Sequence, residues 1–190
     1  MTFGCQIAQP LNYLRSLLGS ECPAGNRYVD ERKSQRGLLR MSVSDAVLSL
    51  IRRVDSRRIP GFSGMGLIVY DNLVHLPCLP MAEQEKYEGM DEVAGLLAEY
   101  SRRQDVHHDG FHLLNRHLRL THAAQYIAPP IAERLLWQPE TPVGARTMTA
   151  LLASCVQGVV LTASVSSNHS VRLFRAGACV FEAIDGMADV

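Results

Sequence analysis

The sequence predicts an α/β protein of mixed α+β character, with a single mixed β-sheet flanked by helices. Three observations predict it. Segments of helical periodicity alternate with short apolar runs, in the order helix, strand, helix, strand pair, helix, strand pair. One run, GLIVY at Gly66 to Tyr70, has the length and composition of a buried strand. Two pairs of runs are separated only by short polar turns, at Arg116-His117 and at Ser167-Asn168-His169, as antiparallel neighbours are.

Each element has its own signal. Leu11, Leu14, Leu17 and Leu18 line one face of a short helix that Gly19 would stop, and residues 20 to 41 mix proline, glycine and charge like a linker. Residues 1–41 are therefore expected to form a helical arm and linker, and 42–190 one α/β domain. Ser42 begins that domain as an N-cap, with Asp45 three residues on as in a capping box. Val43, Val47, Leu50, Ile51 and Val54 give the helix its apolar stripe.

RRIPGFSGMG reads as a loop into the strand at Gly66–Tyr70. Met90 to Arg103 is expected as a helix, with Val93, Leu96, Leu97 and Tyr100 inward. Phe111–Asn115 and Leu118–Ala124 follow as antiparallel strands. Gly144 to Cys155 is expected as a helix with Met148, Leu151, Leu152 and Cys155 on its covered side. VVLTASV and VRLFRA complete the sheet.

Composition narrows the function classes. Nineteen basic and nineteen acidic side chains leave no net charge, so the basic field of a nucleic-acid binder is missing. Hydrophobic residues make up 47% of the chain, enough for a core, and no apolar run approaches a membrane span. The N-terminal residues lack the pattern of a secretory signal. Cys5, Cys22, Cys78, Cys155 and Cys179 are scattered, with no C-x-x-C pair, which suits reduced thiols and a cytoplasmic location.

His107, His108, His112, His117 and His122 crowd one segment, yet there is no H-E-x-x-H and no paired cysteine. Most of them read as exposed strand and turn residues rather than a zinc site. Asp109-Gly110 alone reads as a turn, although a glycine there also lets backbone approach a ligand closely. Gly144 with Arg146 at a helix start offers free N–H groups, a favourable dipole and a guanidinium fork for an anion. Ser164 to Asn168 reads either as a third wall of such a site or as a hairpin. The P-loop, dinucleotide and nucleophile-elbow signatures are absent.

Taken together, HHDGFHLLNRHLRLTHAAQYIAPP and GARTMTALL resemble the signature segments of the diadenylate cyclase domain family, of the DisA N-terminal type. That family has an H-D-G-A strand start, two strands around a short turn, and a G-T-R-H-R-A-A helix start. GMGLIVY resembles its buried G-A-L-I-V-type strand, and VVLTASVSSN falls where the family has a strand ending in S-E-E-T-G. The likeness runs from about Ser42 to Glu182.

The resemblance implies a diadenylate-cyclase-like fold and a role for each matching position. Asp109 takes the place of the aspartate that activates the ribose hydroxyl, and His108 that of the histidine near a divalent metal, manganese or magnesium. Gly110, Phe111, Tyr126, Ile127, Gly144, Ala145, Arg146, Thr147 and Ser164 fall in the nucleotide-binding segments. The family's reaction joins two domains face to face, so the resemblance also implies a homo-oligomer.

Several positions depart from the pattern. Thr147 and Met148 stand where the family has a histidine and a second arginine, and Val165-Ser166 replace its acidic pair. Phe111 replaces a small alanine, an exchange expected to narrow the pocket. Joining two ATP molecules needs donors aimed at developing charge, and one lost donor typically costs ~10²–10³ in rate. The expected function is therefore a nucleotide-binding sensor or regulatory domain that takes an adenine nucleotide or related anion without catalysis. The alternatives are an active, divergent diadenylate cyclase making cyclic di-AMP from two ATP, and a structural or interaction module with a vestigial pocket.

Overall fold

The computed structural model describes residues 41–82, 90–133 and 135–184, which belong to a compact unit spanning Leu39–Val190. The arm expected over residues 1–41 lies, apart from Met41, outside the described residues. Those residues form three helices on a seven-stranded mixed sheet. In chain order the elements are α1 (Val43–Asp55), β1 (Met65–Tyr70), β2 (Cys78–Pro80), α2 (Met90–Tyr100), β3 (Phe111–Asn115), β4 (Leu120–Ile127), α3 (Ala145–Ala153), β5 (Val159–Val165), β6 (Val171–Arg175) and β7 (Ala178–Ala183). The sheet order is β2-β4-β3-β1-β5-β6-β7. Only β1 and β3 run parallel, joined by a crossover that contains α2; the other pairs are antiparallel.

The expected capping box starts α1. Ser42 Oγ accepts from the Asp45 N–H at 3.1 Å, and the Asp45 carboxylate accepts from the Ser42 N–H at 3.2 Å. This satisfies donors that a helix start otherwise leaves open. Val47, Leu50, Ile51 and Val54 are buried with Val93 and Leu97 of α2 against Met65, Leu67 and Val69. The opposite face packs Ala150, Leu151 and Ala153 of α3 against Ile68, Leu113 and Phe174. β1 feeds both layers because successive side chains leave a strand on opposite faces.

The structure changes some expectations. α2 ends at Tyr100, where the Ser101 hydroxyl turns back onto the Leu97 carbonyl at 2.5 Å. β4 starts at Leu120 and runs on to Ile127, since Leu118 has φ +56° and belongs to the turn. Two edge strands join the sheet: β2, bounded by prolines, and β7 beyond the turn at Gly177. α3 buries Thr147, Ala150, Leu151 and Ala153, while Met148 and Leu152 are half-buried and Cys155 is exposed. Small residues face the sheet here because the helix approaches closely enough for Thr162 Oγ1 to donate to the Ala150 carbonyl at 2.7 Å.

Candidate functional site

Three segments meet at one end of the sheet: the Asp109–Phe111 entry to β3, the end of β4, and the start of α3. They enclose an open cleft of about 210 Å³ lined by Asp109, Gly110, Phe111, Tyr126, Ile127, Ala145 and Arg146, together with Met81, Gln125 and Thr149. The sequence reading did not name the last three. Met81 follows the edge strand β2, and Gln125 and Thr149 carry no motif of their own.

Gly110 has φ +79°, and a Cβ there would stand 2.6 Å from the Gln125 carbonyl oxygen. Only glycine lets β3 enter this close to β4. The Asp109 carboxylate accepts the Gly110 N–H at 2.8 Å through Oδ1. Asp109 is 67% exposed, whereas Arg146 is 23% exposed, and its Nη2 lies 3.5 Å from Asp109 Oδ1. Arg146 also donates to the Ser63 carbonyl at 3.2 Å and to the His108 carbonyl at 3.4 Å. Gly64, with φ +89°, makes room for this: a Cβ there would collide with the Val165 carbonyl and stand 2.8 Å from Arg146 Nη1. The guanidinium thus ties the Ser63–Gly64 loop to the entry of β3.

α3 begins without a side-chain cap at Gly144, and no acidic residue occupies its first turn. Thr147 and Met148 donate their N–H groups to the Gly144 carbonyl. The start of the helix therefore offers a positive dipole end beside Arg146.

The remaining candidates fall elsewhere. Gly144 is the cap and does not line the cleft. Thr147 and Ser164 are buried and joined by a 2.9 Å hydroxyl–hydroxyl hydrogen bond that pins α3 to β5. The segment after Ser164 is a hairpin rather than a third wall: Ser166 N–H donates to the Ser170 carbonyl, and Ser166 Oγ to Asn168. The Phe111 ring does not fill the cleft as its bulk suggested. It is 4% exposed and lies over Gly66, its register partner on β1, where a Cβ would come within 2.6 Å of Cδ1.

His112 also departs from the exposed strand residue expected. It is buried, stacks 5.7 Å from Tyr100, and its Nδ1 accepts the Ala124 N–H at 3.3 Å where β4 bulges. Burial pushes its pKa down to about 3. Tyr100 also stacks on His107 at 4.2 Å, and His107 is anchored by Asp105.

Among the described residues no group of three His, Cys, Asp or Glu side chains could hold a metal ion. His108 donates from Nδ1 to the Asp105 carbonyl at 2.7 Å, which leaves Nε2 as its one ligating atom.

No family model matches the chain, and no curated protein matches it. Among solved structures it is similar to a hypothetical membrane spanning protein from Bacillus cereus, at 18% identity and a TM-score of 0.51. That match covers 76% of this chain and 65% of the other, so the chain spans less than two thirds of that protein. The two share a fold. A double mutant of DacA from Staphylococcus aureus is similar at 16% identity and a TM-score of 0.46, over 81% of this chain and 90% of that one. Among the described residues no helix is long and apolar enough to cross a membrane.

Proposed function

We propose that the cleft between Asp109, Tyr126 and Arg146 binds an adenine nucleotide or a related anion, in a sensory or regulatory role without diadenylate cyclase activity. The observation that carries this reading is convergence. Asp109, Tyr126 and Arg146, which the motif resemblance assigns to one nucleotide, come from three separate elements and line one cleft. The uncapped start of α3 adds an anion-binding end, worth ~0.3–1 kcal/mol at an exposed position.

The same geometry argues against turnover. Arg146 is the only cation among the described lining residues, and it is engaged by two carbonyls and a carboxylate. Thr147, where the family has a histidine, is buried with its hydroxyl bonded to Ser164. One observation favours an active cyclase instead: Asp109 is mostly exposed at the cleft mouth, where a nucleotide on a facing domain would meet it.

A thermal-shift panel of adenine and guanine nucleotides, with and without manganese, tests the reading. A ligand at a hundred times its Kd stabilises the native state by ~2.7 kcal/mol. A saturable rise in Tm that Arg146→Ala weakens by ~1.5–3 kcal/mol supports the proposal. No shift with any nucleotide leaves a structural module as the better account.

A further inference from the structure

The charge on the cleft walls restricts what they can hold. Among the described residues that line it, only Asp109 and Arg146 carry charge, and their 3.5 Å separation makes them a pair. The charges of these described residues therefore sum to zero. Two guanidinium nitrogens of Arg146 already donate to the Ser63 and His108 carbonyls, which leaves only part of its donor fork for an incoming anion. The start of α3 supplies a partial positive charge beside it. These donors match one phosphate group. A chain of three would bring its outer charges against Asp109 with no second cation among the described lining residues to meet them.

The size agrees. About 210 Å³ is less than the ~300–1,000 Å³ typical of small-molecule pockets, so the cleft holds a compact ligand or one part of a longer one. Met81, Tyr126 and Ile127 give it an apolar side for a base.

We infer that the cleft takes a nucleotide with a single phosphate group, as monoester or diester, and discriminates against nucleoside triphosphates, with Asp109 as the discriminating residue. This rests on the nucleotide reading above and adds the ligand class.

Isothermal titration calorimetry of the full chain with AMP, 3′,5′-cyclic AMP and ATP, with and without manganese, tests it. AMP separates a monoester preference from the diester preference reported by cyclic AMP. The expected result is that one of these two binds on the order of tenfold tighter than ATP. Asp109→Asn keeps the oxygen that accepts the Gly110 N–H but removes the charge. It is expected to tighten ATP on the order of tenfold and the single-phosphate ligand by less. ATP as the tightest ligand of the unaltered protein, with or without manganese, overturns the inference while sparing the nucleotide reading. Equal effects of Asp109→Asn on all three ligands also overturn it. No heat of binding from any nucleotide removes the nucleotide reading and this inference together.

Discussion

Phe111 on β3 and Gly66 on β1 are register partners across the parallel pair, and the phenyl ring covers the glycine so closely that a Cβ on Gly66 would meet it at 2.6 Å. A large residue is thereby accommodated at the head of β3 by the absence of a side chain beside it. The bulk goes into the core and the cleft stays open.

That complement predicts a rescue. Gly66→Ala should destabilise the fold by ~1–3 kcal/mol, because the new Cβ would meet the ring at 2.6 Å and force it to shift. Phe111→Ala alone should cost ~3–5 kcal/mol. The double variant should cost less than the two singles combined, as residues in contact do. Chemical denaturation of the four proteins measures the coupling, and strictly additive losses would show that the two positions do not share the space.

The Thr147–Ser164 hydrogen bond predicts a second non-additive pair. Thr147→Val leaves the Ser164 hydroxyl buried without its partner and should cost ~1–3 kcal/mol; Ser164→Ala should behave likewise. Changing both removes both polar groups and should restore much of the loss. Denaturation midpoints of the three variants decide it.

His112 predicts a dependence on pH. Burial lowers its folded pKa to about 3, helped by the charges of His107 and Arg146 and opposed by Asp105. An unfolded histidine titrates near 6.5. Between those values the unfolded chain binds a proton that the folded chain excludes. The stability held above pH 6.5 is therefore lost as pH falls, by up to ~1.4 kcal/mol per pH unit. Denaturant titrations from pH 7.5 to 4.5 should show this slope, and His112→Gln should flatten it. An unchanged slope in the variant would place the acid sensitivity elsewhere.

Much of this architecture was legible in the residues. Ser42 and Asp45 announced α1 because a capping box has a fixed spacing, and Phe111–Asn115 was bounded correctly because Gly110 opens it. What was not legible depended on partners distant in sequence. β2 is three residues long and bounded by prolines, and it becomes a strand only through pairing with β4. The covered face of α3 was misplaced because Met148, Leu152 and Cys155 are more apolar than Thr147 and Ala150. Close approach to β5 favours the smaller pair.

The cleft shows the same division. Asp109 and Arg146 were visible as motif residues, but their mutual pairing was not. Nor was the hold of the Ser63 and His108 carbonyls on Arg146, since those contacts join positions far apart in the chain.

The central claim is that this cleft binds a nucleotide without joining two of them. Incubation of concentrated protein with ATP and manganese or magnesium, followed by chromatography and mass spectrometry for cyclic di-AMP, tests it most directly. With a single cation among the described lining residues, already paired to Asp109, the rate should fall ~10⁴–10⁶ below that of a fully equipped site, and no product should accumulate. Robust cyclic di-AMP formation that disappears in Asp109→Asn would contradict the account and make the protein an active cyclase.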